Sequence, residues 1–269
     1  MSIEIRDLCF GYCTREVLRK VSFSALEGQI LAVLGPNGVG KTTLFRCILG
    51  LQSRYSGSIE VDGVDAHTLT ARELAHRVAY IPQTHGMAFS YSVLDMVLMG
   101  TTHNVAMMSV PKARELDAAN TALVRMGIAN LSEKNFSHLS GGEQQLVLIA
   151  RALAQNTKTL LMDEPTASLD YGNQSLVLQQ VRALADDGYT ILLSTHNPQH
   201  AIWYADSVLA LFNGTVAAFG QSREVVNTAL IRTLYGVDAT LIETTHGPLI
   251  SPVIEGDNKS PYRVKCYID

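Results

Sequence analysis

One short stretch near the N-terminus constrains the architecture more than any other. Gln29–Leu34 is a continuous apolar run, and it leads directly into Gly35-Pro36-Asn37-Gly38-Val39-Gly40-Lys41-Thr42. A helical pattern then runs from about Lys41 to Leu49. An apolar run without alternation is the pattern of a strand buried on both faces, and such strands belong to parallel sheets covered by helices. The eight residues after it match G-x-x-x-x-G-K-[ST] without departure. Glycines at this spacing let successive backbone N–H groups curl around an oxyanion, and the helix start adds its positive end. The loop is therefore a phosphate cradle. Lys41 is expected to reach the β- and γ-phosphates of a nucleotide, Thr42 to ligate Mg²⁺, and Thr43 to line the same site.

The rest of the chain fits an α/β fold. Ser2–Phe10 and Lys20–Leu26 alternate as short strands about a turn at Gly11–Thr14, and Ser58–Val61 precedes a turn at Asp62-Gly63. Arg77–Ile81 reads as one more strand. From about Gln83 to Arg151 the signals become helical, in Ser92–Met99, Lys112–Met126 and Gly141–Leu153, so a helical subdomain (about 84–151) is inserted there. Strand and helix then alternate again, with strands at Thr159–Met162 and Thr190–Ser194 and a helix at Asn173–Ala185. Asn197 caps a further helix that has Pro198 as its first residue. Asn213-Gly214 is a hairpin signal between Ser207–Phe212 and Thr215–Phe219. One domain of about residues 1–239 and an extension of 240–269, turn-rich and without a clear pattern, are expected.

A second motif completes the chemistry. Leu160-Leu161-Met162-Asp163-Glu164 is an apolar strand ending in two carboxylates. Beside the loop strand, Asp163 is placed to hold Mg²⁺, and Glu164 to polarise the water that attacks the terminal phosphate.

Leu139-Ser140-Gly141-Gly142-Glu143-Gln144-Gln145 resembles the signature motif of the ATP-binding cassette (ABC) family, and the resemblance extends over about Ile3–Gly220. It implies a P-loop NTPase sandwich with an antiparallel β subdomain and the inserted helical subdomain. It also implies that Ser140, Gly141, Gly142 and Glu143 serve, in trans, the nucleotide bound by an opposite subunit. Tyr12 resembles the aromatic that stacks on adenine, and Gln83 the glutamine that senses Mg²⁺ and the membrane partner. Asp170, in Ser168-Leu169-Asp170, lies in what resembles the loop crossing the dimer interface, and His196 resembles the switch histidine at the γ-phosphate. Glu143 stands where glutamine is common in the family.

Three further segments resemble importers of metal chelates such as iron–siderophore, haem, cobalamin or molybdate. They are Tyr91–Gly100, Leu169–Gln174, and Leu234–Ala239 with the later Gly247-Pro248. By this resemblance the chain is the ATP-hydrolysing subunit of an importer, peripheral on the cytoplasmic face of a membrane. Its partners would be a second copy in head-to-tail arrangement, permease subunits docked near Thr84–Gly100, and a substrate-binding protein indirectly. A soluble ABC ATPase acting in cofactor assembly is the rival reading.

Composition bears on what the chain excludes. Charged residues make up 17% of the chain, against about 25% in ordinary soluble domains. The longest stretch free of Asp, Glu, Lys and Arg is Gly188–Ala205, and it carries Ser194, His196, Asn197, Gln199 and His200. It is no lipid-facing helix, so burial against partners, or a charge-poor core, is left to explain the deficit. A net charge of −4 gives no basic field for nucleic acid. Cys9, Cys13, Cys47 and Cys266 form no Cys-x-x-Cys pair and read as reduced thiols. His196 and His200 are four apart but lack the glutamate of H-E-x-x-H.

Overall fold

A computed structural model describes residues 2–83, 90–104, 111–245 and 247–253. The chain opens with β1 (Ile3–Tyr12) and β2 (Arg15–Ala25), then β3 (Ile30–Leu34), α1 (Lys41–Ile48), β4 (Ser56–Val61) and β5 (Val64–Asp65). Strands β2-β1-β4-β5 form an antiparallel sheet. The first hairpin is longer than the sequence pattern suggests. Its strands run to a two-residue turn at Cys13-Thr14, because register shifts between Ile5 and Gly11 carry the ladder past the break in alternation.

After α2 (Ala71–Ala75), β6 (Val78–Ile81) enters the main sheet. Three helices follow: α3 (Val93–Leu98), α4 (Ala113–Arg125) and α5 (Gly141–Ala154). Buried residues occupy most of the circumference of α5, as expected of a helix packed on several sides. It touches α3, α4 and α6 (Tyr171–Asp186). The main sheet resumes with β7 (Thr159–Asp163) before α6, then β8 (Thr190–Thr195), α7 (Pro198–Tyr204), β9 (Ser207–Phe212) and β10 (Thr215–Gln221). Its order is β10-β9-β3-β8-β7-β6, parallel except for the β9–β10 hairpin. The strand that ends in Asp163, β7, is therefore not beside the loop strand β3 as expected; β8 pairs with both and lies between them.

Every residue of β3, β7 and β8 is buried. Alternation along β3 divides the interior: Ile30, Ala32 and Leu34 join a core with α5, α6 and α7, while Leu31 and Val33 join one with α1 and the antiparallel sheet. Helices α8 (Ser222–Val225) and α9 (Thr228–Tyr235) then lead to a hairpin, β11 (Ala239–Ile242) and β12 (Leu249–Pro252). The stretch from Thr240 that carries little sequence pattern thus supplies most of this hairpin. Helix α6 starts at Tyr171, before the Asn173 expected from periodicity, because Asp170 caps it through the Asn173 N–H.

Candidate functional site

In a parallel sheet the C-terminal ends of the strands share one edge, and here that edge gathers the candidate residues. Strand β3 runs into the glycine loop, β6 leads to Gln83, β7 ends in Asp163 followed by Glu164, and β8 leads to His196. Register fixes their relation: Leu34 pairs with Thr195, and Asp163 with Ser194. Gly35 N–H donates to the Thr195 carbonyl, which fastens the loop to the neighbouring strand.

The loop turns into α1 at Gly40, whose φ of 115° lies in the left-handed region that only glycine occupies at ease. A Cβ there would also lie 3.0 Å from the Leu18 side chain. The Lys41 side chain folds back under the loop. Its Nζ donates to the Gly35 carbonyl at 2.8 Å and the Pro36 carbonyl at 3.2 Å, and lies 3.1 Å from Glu164 Oε1. With a side chain only 5% exposed, the ammonium needs all three partners, since an unpaired buried charge is costly.

Glu164 is where the strand ends meet. Its Oε1 faces Lys41, while Oε2 accepts from Gln83 Nε2 at 3.3 Å and lies 3.1 Å from His196 Nδ1. Its backbone is left-handed, with φ 47°, an unusual conformation for a side-chain-bearing residue. The Glu164 N–H donates to Ser194 Oγ at 2.9 Å, and Ser194 Oγ–H in turn donates to Asp163 Oδ1 at 2.6 Å. Tyr80 donates its hydroxyl to Asp163 Oδ2 at 3.3 Å. Burial, and then the Asp163 charge, push the Tyr80 phenol up to about 12, so it stays a donor at neutral pH.

A cleft of about 670 Å³ lies over this edge. Tyr12, Asn37, Gly38, Gly40, Lys41, Thr42, Thr43, Gln83 and Glu164 line it, together with Arg15 and Val17. Gly35 and Val39 are buried in the body of the loop, and Pro36 is half-buried. Tyr12 is held edge-on by Phe10, with ring centroids 4.9 Å apart. A set of backbone N–H groups, one buried cation and two carboxylates suits a polyphosphate that carries a cation.

Ser140, Gly141, Gly142, Glu143 and Asp170 do not line that cleft; they form a second group where α5 and α6 begin. Ser140 caps α5, its N–H and hydroxyl both donate to Glu143 Oε2, and the Glu143 N–H returns to Ser140 Oγ. These bonds, the backbone one first, hold the Glu143 carboxyl below its ordinary value. A Cβ at Gly142 would stand 2.2 Å from Asn173 Oδ1, and Asn173 Nδ2 donates to Asp170 Oδ2 at 2.9 Å. Gly142 therefore allows α5 and α6 to approach at Asp170.

Ser194 and Tyr80 support the site, and neither stands out in the sequence. Ser194 becomes visible only once β8 is paired with β7. Tyr80 sits inside Tyr80-Ile81-Pro82-Gln83, where the resemblance bears on the glutamine alone.

The family model described as ABC transporter matches residues 18–167. An uncharacterized ABC transporter ATP-binding protein of Haemophilus influenzae is 42% identical over 211 residues, 78% of this chain and 80% of that protein. The hemin import ATP-binding protein HmuV of Nocardia farcinica is 37% identical over 242 residues, 89% of this chain and 83% of that one. Among solved structures, an ABC transporter of metal-chelate type in an inward-facing conformation superimposes with a TM-score of 0.83 at 31% identity. That match covers 94% of this chain and 97% of that one. The resemblance drawn from the motifs holds, and the chain belongs to the ABC transporter family as one of its ATP-binding subunits, with the fold of that family's ATPases.

Proposed function

We propose that this chain is the ATP-hydrolysing subunit of an importer for a metal chelate such as an iron–siderophore or haem. The observation that carries the hydrolytic reading is the convergence of Lys41, Gln83 and His196 on the Glu164 carboxylate. In this reading adenine stacks on Tyr12, and the phosphates lie on Gly35–Thr43, with Lys41 turning from Glu164 to the β- and γ-oxygens. Glu164 takes a proton from the attacking water as its oxygen bonds to the terminal phosphorus. The bond to the bridging oxygen breaks, ADP leaves, and His196 steadies the transferred group.

The donors present fit Mg²⁺, which prefers hard oxygen ligands. The Thr42 hydroxyl and the Asp163 carboxylate qualify. Gln83 does too, because its amide N–H₂ is committed to Glu164 and its carbonyl oxygen is left for a cation. The ion would neutralise charge on the phosphate oxygens.

Ser140, Gly141, Gly142, Glu143 and Asp170 would act on the nucleotide of a second copy in a head-to-tail dimer. Their position outside the chain's own cleft supports this. Permease subunits would dock near Thr84–Gly100. Thr84–Phe89 lie outside the described residues, and the remainder is capped by Ser92 and carries α3. Among the described residues no helix is long and apolar enough to cross a membrane, which suits a peripheral subunit on the cytoplasmic face. The cargo class is supported by relatives named for hemin, iron chelatin and molybdate transport.

Glu164→Gln tests the hydrolytic reading. Turnover is expected to fall by about 10²-fold or more while ATP still binds and a dimer accumulates in gel filtration. Near-normal turnover would refute the role given to Glu164.

A further inference from the structure

The segment after β10 is tied to the loop that carries His196. Thr195 is fixed from below by its pairing with Leu34, and its Oγ1 accepts from the Asn197 N–H at 3.0 Å. From the other side, Tyr235 Oη donates to the His196 carbonyl at 2.8 Å. Tyr235 is the last residue of α9, whose Leu230, Ile231 and Leu234 are buried. The hairpin β11–β12 grips the next turn. Gln199 Nε2 and Trp203 Nε1 both donate to the Pro248 carbonyl at 3.0 Å, and the Ile250 N–H donates to Gln199 Oε1 at 2.8 Å. Val253 N–H closes the unit on the Asp238 carbonyl at 2.7 Å.

Helix α7 has only seven residues, too few to fix their own orientation. The direction in which His196 leaves β8 therefore depends on what α7 is held against. The His196 side chain is 52% exposed, so packing does little to hold the ring. Its ring contact is with Glu164, and its backbone carbonyl is held by Tyr235.

We propose that α9 and the β11–β12 hairpin brace the His196 loop, and that Tyr235 is a positioning residue that sets the histidine ring against Glu164. This rests on the reading of Glu164 and His196 as the hydrolytic pair. Tyr235 acts through a backbone carbonyl and touches no reacting atom. Burial, and secondarily the charge of Glu164, raise its phenol far above neutrality, so the donor persists throughout the physiological pH range.

The test uses this whole chain of 269 residues with Mg-ATP. Tyr235→Phe keeps the ring and removes only the hydroxyl. It is expected to lower kcat about fivefold, the rate equivalent of one neutral hydrogen bond, with KM for ATP unchanged and the thermal midpoint lowered by no more than about 2–4 °C, the cost of that one bond. Trp203→Phe, which removes a brace bond remote from the site, is expected to act in the same direction and more weakly. The double variant His196→Ala/Tyr235→Phe is expected to be no slower than His196→Ala alone, because the second change has nothing left to position. If the two losses multiply instead, Tyr235 serves the fold and the inference is overturned. It is also overturned if Tyr235→Phe matches the parent's kcat while His196→Ala does not. If His196→Ala itself turns over at the parent's rate, the hydrolytic reading fails together with the inference.

Discussion

Ser194→Ala removes a single oxygen and leaves two polar groups without their partner. The hydroxyl is fully buried; it donates to Asp163 Oδ1 at 2.6 Å and accepts from the Glu164 N–H at 2.9 Å. Losing a bond to an ionised carboxylate costs about 1.5–3 kcal/mol, and an orphaned buried N–H costs about 1–3 kcal/mol. The two share one atom, so they do not add in full, and about 3 kcal/mol is expected. For a chain of this size that corresponds to a fall in the thermal midpoint of roughly 6–12 °C, read by calorimetry at pH 7 without nucleotide. Arg125→Ala provides the contrast. It also removes two hydrogen bonds to a carboxylate, that of Asp187, but the side chains are 36% and 53% exposed. An exposed pair of this kind contributes about 0–1 kcal/mol. If Ser194→Ala shifts the midpoint no more than Arg125→Ala, the hydroxyl does not hold the carboxylate strand ends in place and the cost assigned to its burial is wrong.

Lys41→Ala is expected to weaken ATP binding by about 10–100-fold, the worth of a charge-assisted contact to phosphate; calorimetric titration giving unchanged affinity would reject its role. His200 supplies a pH dependence. Burial first, and then the neighbouring His196, lower its pKa from 6.5. As pH falls below about 6.5 the unfolded chain gains a proton that the folded chain refuses. Stability is therefore whole above that pH and declines below it until the lowered folded value is passed. Thermal midpoints measured between pH 5 and 8 should show this decline, and His200→Gln should reduce it; an identical profile in the variant would remove His200 as the cause.

The phosphate loop was legible because its chemistry is local. Gly35 to Thr42 are contiguous, and the apolar strand before them and the helix after them announce their own geometry. Asp163 and Glu164 were legible for the same reason. Ser194 was not, because its role arises from the register of β8 against β7, and no pattern within Thr190–Ser194 distinguishes one buried serine from another. Tyr80 was obscured in the same way, its partner lying one strand away. The brace was the least visible. Leu234-Tyr235-Gly236 can be noticed as a resemblance, but α8 and α9 are short and the hairpin's strands span four residues each. Their places are set by contacts with α7, β9 and β10 that periodicity does not encode.

The strand order has a consequence for how the chain is made. The antiparallel sheet draws all four strands from the first 65 residues, so it can pair soon after synthesis begins. Strand β3 emerges among them, yet its two neighbours are β8 and β9, which begin at Thr190 and Ser207. Until those are translated, five apolar residues stand with both edges unpaired, the arrangement most prone to join another nascent chain. The Gly35 N–H likewise waits for the Thr195 carbonyl. A ribosome-bound fragment ending before Thr190 would carry the whole glycine loop in sequence but lack both the strands that flank β3 and the Thr195 carbonyl that fastens the loop.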